Sequence, residues 1–397
     1  MPITSSKQKT QIKPEEIKAV EIGPAAPKPA APEEPAPKKF EVNKISLWLE
    51  KFSSIPISEK LFFVQYLGIM LKAGIPLSAS LQTLAKQTTN KRFSKIIGEV
   101  SKNVEKGVSF TESLRPYEKV FGQLFINMIE SGEISGKLEE VLKKLYIQFK
   151  KSHELVSKVK GALTYPIVIL AAMAGIGVFM MIAVVPKITA MFKDFNAELP
   201  LPTKLLIKFS DSLVSHGPLY IIGVIIAAAV FIQIIKTEKG KHIFHAILLK
   251  LPIFGKIIKK INLARFARTI SSLLKTDIMI IKSFQITAQT LSNIHYREAL
   301  IGMSNKIKKG GTINQVIADY PALFPPVVVQ MIAVGEETGE LDYVLEELAE
   351  FYEGEIDQTM NNLPAIIEPV LILTLGLVVG SMAVAIIMPM YSLTTAI

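Results

Sequence analysis

This 397-residue chain is predicted to be an all-α membrane protein, with two duplicated cytoplasmic helical-bundle domains and three transmembrane helices. The first observation is a gapless internal repeat. Met128-Ile129-x-x-Gly132-Glu133-x-x-Gly136-x-Leu138-x-x-Val141-Leu142 returns 203 residues later as Met331-Ile332-x-x-Gly335-Glu336-x-x-Gly339-x-Leu341-x-x-Val344-Leu345. The same offset pairs Phe63 with Phe266, Gly107 with Gly310, Phe121 with Phe324 and Pro166 with Pro369. Solenoid units run ~20–50 residues, so a repeat this long is a duplicated domain. Second, each copy ends in an uncharged apolar stretch that meets the ~20 residues needed to cross a bilayer. Third, apolar residues recur at three- and four-residue spacing and nowhere with the alternating period of a strand.

Residues 1–45 read as a disordered Pro/Ala/Lys-rich cytoplasmic tail, too polar to offset chain entropy by burial. The absence of an apolar run after Met1 argues against a secretory signal peptide. A first helical domain is expected over 46–161 and a transmembrane helix over 162–186. An external connection over 187–217 leads to a second transmembrane helix over 218–236. The second helical domain is expected over 237–365, a third transmembrane helix over 366–390 and an external C-terminus over 391–397. Six lysines precede the first span, from Lys143 to Lys160, and seven follow the second, from Lys236 to Lys260. That bias places both domains in the cytoplasm.

Within the first copy, Phe62-Phe63-x-x-Tyr66-Leu67-x-x-Met70-Leu71 predicts a helix with Ser58 as N-cap and Glu59 in its first turn. Ala73-Gly74-Ile75-Pro76 breaks it, and Leu77 begins another. A third helix is expected from Phe93 to Glu105. Ser109-x-x-Glu112 has capping-box spacing for a short fourth. A fifth starts at Phe121 and is interrupted between Gly132 and Gly136, and a long sixth runs from Lys137 into the membrane.

Composition narrows the function. Apolar residues make up 49% of the chain and the net charge is +10; mean hydropathy is +0.36. These values fit a few spans with substantial water-facing mass beside an anionic membrane surface. The lysines flank hydrophobic spans and form no aromatic-rich patch, which argues against nucleic acid. No cysteine is present, which excludes disulfides and thiolate chemistry. Gly132-x-x-x-Gly136-Lys137-Leu138 is one residue short of a phosphate loop and lacks its Ser/Thr, while the repeat puts Glu340 in place of the Lys. His242-x-x-His245 sets two imidazoles on one helix face without a third metal ligand nearby in sequence. No catalytic, cofactor or metal site is therefore expected. The spans carry no ionisable group at mid-depth, which disfavours transport.

Candidate partner-binding residues lie in and after the Gly-Glu-x-x-Gly turns. Gly132, Gly136, Gly335 and Gly339 suit positive φ between helices. Glu133 and Glu336 are placed either to cap the next helix or to meet a partner. Beyond the turns the aligned charges invert. Lys137, Lys143, Lys144 and Lys150 correspond to Glu340, Glu346, Glu347 and Glu353, and from Glu336 to Asp357 there are ten acids and no base. Opposite charges on related helices suggest pairing, within one chain or between subunits; solvated faces are the plainer alternative. Gly177 and the Gly376-x-x-x-Gly380 pair are candidates for close packing of membrane helices.

In combination, these residues resemble the type II secretion system F family, the inner-membrane platform proteins of type IV pilus and type II secretion machines. The resemblance covers about Ser58 to Tyr391. It runs through Phe63 to Leu77, Met128 to Leu142, and Ala162 to Thr203 with its Glu198-Leu199-Pro200-Leu201-Pro202-Thr203 segment. In the second half it continues through Leu251-Pro252-Ile253-Phe254-Gly255, Arg265-Phe266-Ala267-Arg268-Thr269 and Met331 to Leu345. The resemblance implies a non-enzymatic oligomeric scaffold between a cytoplasmic hexameric assembly ATPase and the transmembrane helices of pilins or pseudopilins, together with other inner-membrane assembly proteins. An ATPase-driven transport permease subunit is the rival from another class. Two departures stand out: Gln65 occupies the position of Arg268, and Thr276-Asp277-Ile278-Met279 replaces the first copy's Ala73-Gly74-Ile75-Pro76, implying a differently built turn.

Overall fold

The computed structural model describes residues 55–194 and 201–394, and all regular structure among them is helical. The N-terminal tail, the Glu198-Leu199-Pro200 segment and residues 395–397 lie outside the described residues.

In the first module α1 (Ile57–Lys72), α2 (Leu77–Gln87) and α3 (Lys91–Glu105) are followed by short α4 (Phe110–Leu114) and α5 (Glu118–Phe121), then α6 (Gln123–Ile134) and long α7 (Leu138–Phe179). Some boundaries differ from expectation. Pro56, not Ser58, is the N-cap of α1, so Ser58 lies inside the first turn. Phe121 closes α5, because Gly122 takes φ +87° and restarts the chain as α6 at Gln123. Ser109 caps α4 as expected, its Oγ accepting from the Glu112 backbone N–H.

After α8 (Val185–Asp194) and α9 (Leu201–Lys236), α10 (Glu238–Lys250) leads to the second module. That module comprises α11 (Phe254–Leu274), α12 (Ile280–Thr290), α13 (Ile294–Lys308), α14 (Ile313–Ala318), α15 (Pro326–Thr338) and α16 (Leu341–Thr394). The repeat holds side chain by side chain. Phe63, Phe93 and Phe121 form a buried aromatic triad with centroids 5.6–5.8 Å apart. Phe266, Tyr296 and Phe324 repeat it, with Phe324 5.2 and 5.6 Å from the other two. Such pairs contribute ~0.5–1.5 kcal/mol beyond area burial.

Both turns after the first helix of each module share one backbone. Gly74 has φ +79° and Asp277 has φ +60°. Ile75 N–H bonds Met70 O at 3.0 Å, and Ile278 N–H bonds Leu273 O at 3.2 Å. The expectation of a different turn in the second copy is corrected: aspartate tolerates the left-handed conformation at modest strain.

The described residues form one unit in which the modules interdigitate. Leu273, Ile278 and Ile286 of the second module pack into the first module's core, and Leu155 of α7 packs into the second. Three helical stretches are long and apolar enough to span a membrane: Leu138–Ala190, Thr203–Lys236 and Leu341–Ala385. The last helix of each repeat's module is thus continuous with an apolar stretch of membrane-spanning length. The second span's helix bends at His216, whose φ of −120° lies two residues before Pro218, the usual cause of a kink.

Candidate functional site

The Gly-Glu-x-x-Gly turn divides its work among three residues. Gly132 is buried where α6 meets α7, and a Cβ there would lie 2.8 Å from Val141 Cγ2. The equivalent Gly335 leaves 3.0 Å to Leu341 Cα and 3.2 Å to Val344 Cβ. The motif's Leu and Val are therefore the surfaces its first glycine makes room for. The last glycine reverses the chain, with φ +69° at Gly136 and +76° at Gly339, a conformation glycine adopts without Cβ strain.

The glutamates cap helices, but not the ones that follow. Glu133 Oε1 accepts the Phe110 N–H at 2.6 Å, and Oε2 accepts the Thr111 N–H at 2.9 Å and its hydroxyl at 2.6 Å. Glu336 repeats this, accepting the Ile313 N–H at 2.7 Å and the Asn314 N–H at 3.0 Å. Each carboxylate thus closes the N-terminus of a short helix more than 20 residues earlier, where orphan N–H groups and the helix dipole favour negative charge. Lys137 and Glu340, at the rim, remain exposed.

The inverted charges are partly spent inside the chain. Helix α7 packs against α16, with ion pairs Lys151–Glu353 at 3.4 Å and Lys158–Asp357 at 2.5 Å. Of the eight aligned residues, Lys144 and Glu353 cross between modules, Lys144 donating to the Lys275 carbonyl. Burial lowers the Lys144 pKa below the ordinary lysine value. Glu353 holds Arg268 with two 3.0 Å bonds, and the arginine side chain is only 8% exposed. Glu346 pairs with Lys275 and approaches Arg268 Nη1 at 3.7 Å. The sequence reading missed Arg268 as the hub. Its signal was available: Gln65 and Lys150 stand where Arg268 and Glu353 stand, so both members of the pair change together. Lys143, Lys150 and Glu347 are exposed; Lys150 lies 4.0 Å from Glu154 on its own helix.

In the apolar helices, α7 passes through a π turn at Met180–Val184. Ser210 donates to the Met181 carbonyl at 2.5 Å, and Thr203 donates to the Ala385 carbonyl at 2.6 Å. These bonds tie α9 to its two neighbours, satisfying carbonyls that lipid cannot. A groove of about 910 Å³ opens between the helices, lined by residues including Gly177, Met181, Phe209 and Met382. A Cβ built on Gly177, Gly376 or Gly380 meets nothing within 4 Å. Among the described residues, nothing packs onto these glycine surfaces.

The family model described as "Type II secretion system (T2SS), protein F" matches residues 63–186 and again 266–389, the same two copies. The type IV pilus assembly protein PilC of Myxococcus xanthus is 34% identical over 347 residues, 87% of this chain and 83% of that protein. The protein of the same name from Thermus thermophilus is 35% identical over 332 residues, 83% of this chain and 81% of its own. Type II secretion system protein F of Aeromonas hydrophila is 29% identical over 359 residues, 90% and 92% of the two chains. Two matched copies, each ending in a membrane-length helix, place this chain in the type II secretion system protein F family.

Proposed function

We propose that the chain is the inner-membrane platform of a type IV pilus assembly machine, passing the motion of a cytoplasmic hexameric ATPase to pilin subunits entering the filament. The observation that carries this reading is the continuity of α7 and α16, each running unbroken from a cytoplasmic-type module into an apolar span. A displacement imposed on a module would reach the bilayer without a flexible joint. The platform acts mechanically and hydrolyses nothing itself.

Both modules face the cytoplasm, following the lysine bias around the first two spans, and alternation of the three spans puts the C-terminus outside. The ATPase meets the exposed rim of the two turns, while the exposed charges, Lys137, Lys143 and Lys150 on one module and Glu340 and Glu347 on the other, meet further copies of the chain. Pilin helices or further copies of this chain pack against Gly177, Gly376 and Gly380. Higher identity to the pilus assembly proteins than to the secretion protein favours the pilus. A secretion pseudopilus is the second reading, supported by the secretion protein's 90% coverage of this chain.

Electron microscopy of cells lacking the chain, with a blot for mature pilin in membranes, tests the proposal. Lost filaments with processed pilin accumulating in the membrane are the expected result. Intact filaments would overturn the pilus reading and favour the secretion machine.

A further inference from the structure

Helix α10 directly follows the second candidate span and lies against the N-terminal end of α13. His242 projects from α10. His295 and Glu298 stand three residues apart on α13, the spacing that sets two side chains on one helix face. His242 Nε2 lies 3.0 Å from Glu298 Oε1, and His295 Nε2 lies 3.2 Å from the His242 carbonyl oxygen. The two imidazoles meet at 75° with centroids 5.5 Å apart. One ligand atom from each of the three residues lies within 4.8 Å of the others.

We propose that His242, His295 and Glu298 bind a divalent transition metal of the zinc class. Two imidazole nitrogens and one carboxylate oxygen form a donor set suited to zinc and its neighbours; calcium and magnesium require oxygen ligands. Ligand atoms around a tetrahedral zinc, at ~2.0–2.1 Å from the metal, sit ~3.3 Å from one another. His242 and Glu298 already meet that spacing, and a rotamer-scale adjustment closes the rest. The side chains of His242 and Glu298 are 40% and 51% exposed, leaving a path for the ion and a position for water.

His245 prepares the site without joining it. Its Nδ1 accepts the Ile294 N–H at 3.0 Å, and its carbonyl oxygen accepts from Asn293 Nδ2 at 3.4 Å. These bonds hold the start of α13 against α10 before any ion arrives, so binding requires little further ordering. The bound ion would pin the helix that follows the second span to the second module. This inference is independent of the platform reading.

Zinc titration by calorimetry, on the full-length chain in detergent micelles with any affinity tag removed and after EDTA stripping, tests the site. One saturable zinc per chain is expected. Glu298→Gln should weaken binding by at least the ~10-fold that even outer-sphere partners contribute. The double variant His242→Ala/His295→Ala should abolish it, and His153→Ala, on α7, should leave it unchanged. Equal binding by the double variant, or no saturable binding by the native chain, overturns the proposal. Should the variants lose helical circular dichroism, cobalt absorption on the native chain decides: tetrahedral nitrogen-ligated bands support the site and their absence refutes it.

Discussion

Glu133 and Glu336 each satisfy backbone donors on a short helix far earlier in the chain. Hydrogen bonds to a charged group contribute ~1.5–3 kcal/mol. Glu133→Gln and Glu336→Gln should therefore each lower module stability by about 2 kcal/mol. Hydrogen exchange at Thr111 and Asn314 would read this, and unchanged protection at both would refute it. An alanine at either position should loosen α4 or α14, so its effect on a partner contact at the turn would be mixed with local unfolding. The left-handed position supplies a second test. Gly74→Ala should cost ~1–2 kcal/mol, the penalty for a Cβ in that conformation, whereas Asp277→Gly should be neutral or stabilising. Thermal melting distinguishes the outcomes; an equal cost for both would refute the account. Gly132 and Gly335, expected at positive φ, instead lie inside helices, where packing against Val141 and Leu341 requires them. The last glycine of each turn was legible in sequence because backbone geometry is local. The helix that each Glu caps was not, because a carboxylate's partners are fixed by how α4 folds back over α6.

Between elements, the decisive contact is Arg268 with Glu353. Removing one partner of a buried pair strands the other charge, at about 3–5 kcal/mol. Lys151 stays near Glu353 at 3.4 Å, so Arg268→Ala should fall near the lower end, about 3 kcal/mol. Hydrogen exchange along α11 and α16 in the full chain would measure it; a cost within the ~0–1 kcal/mol of a surface pair would contradict the burial argument. Charge inversion between copies was visible in the sequence, and pairing within one chain does occur. It runs largely through Lys151 and Lys158, neither among the four lysines first singled out, because the face that α7 presents to α16 is set by packing around Leu155. Reversing exposed Lys137, Lys143 and Lys150 to Glu then becomes a test of contacts between subunits. Weaker self-association in sedimentation at low salt is expected, and unchanged sedimentation would leave those residues as a solvated face.

At the scale of the molecule, continuous helices join the modules to the membrane. Inserting Gly-Ser-Gly after Gly161 should uncouple the first module from its span. Glycine costs a helix interior about 1 kcal/mol per residue, and the insertion also shifts helical register. Filament assembly should fail while the core around Phe63, Phe93 and Phe121 keeps its exchange protection; assembly at native levels would refute transmission through α7. The sequence by itself determined the duplication, the all-helical class, the three apolar spans and the glycine turns, because periodicity, length and backbone conformation are properties of neighbouring residues. Tertiary structure decided which helix each Glu caps, that Leu273 and Ile278 serve the first module's core, and that His242 finds His295 and Glu298 instead of His245. Those partners lie many residues apart in the chain, and only the docking of packed helices brings their side chains within bonding distance.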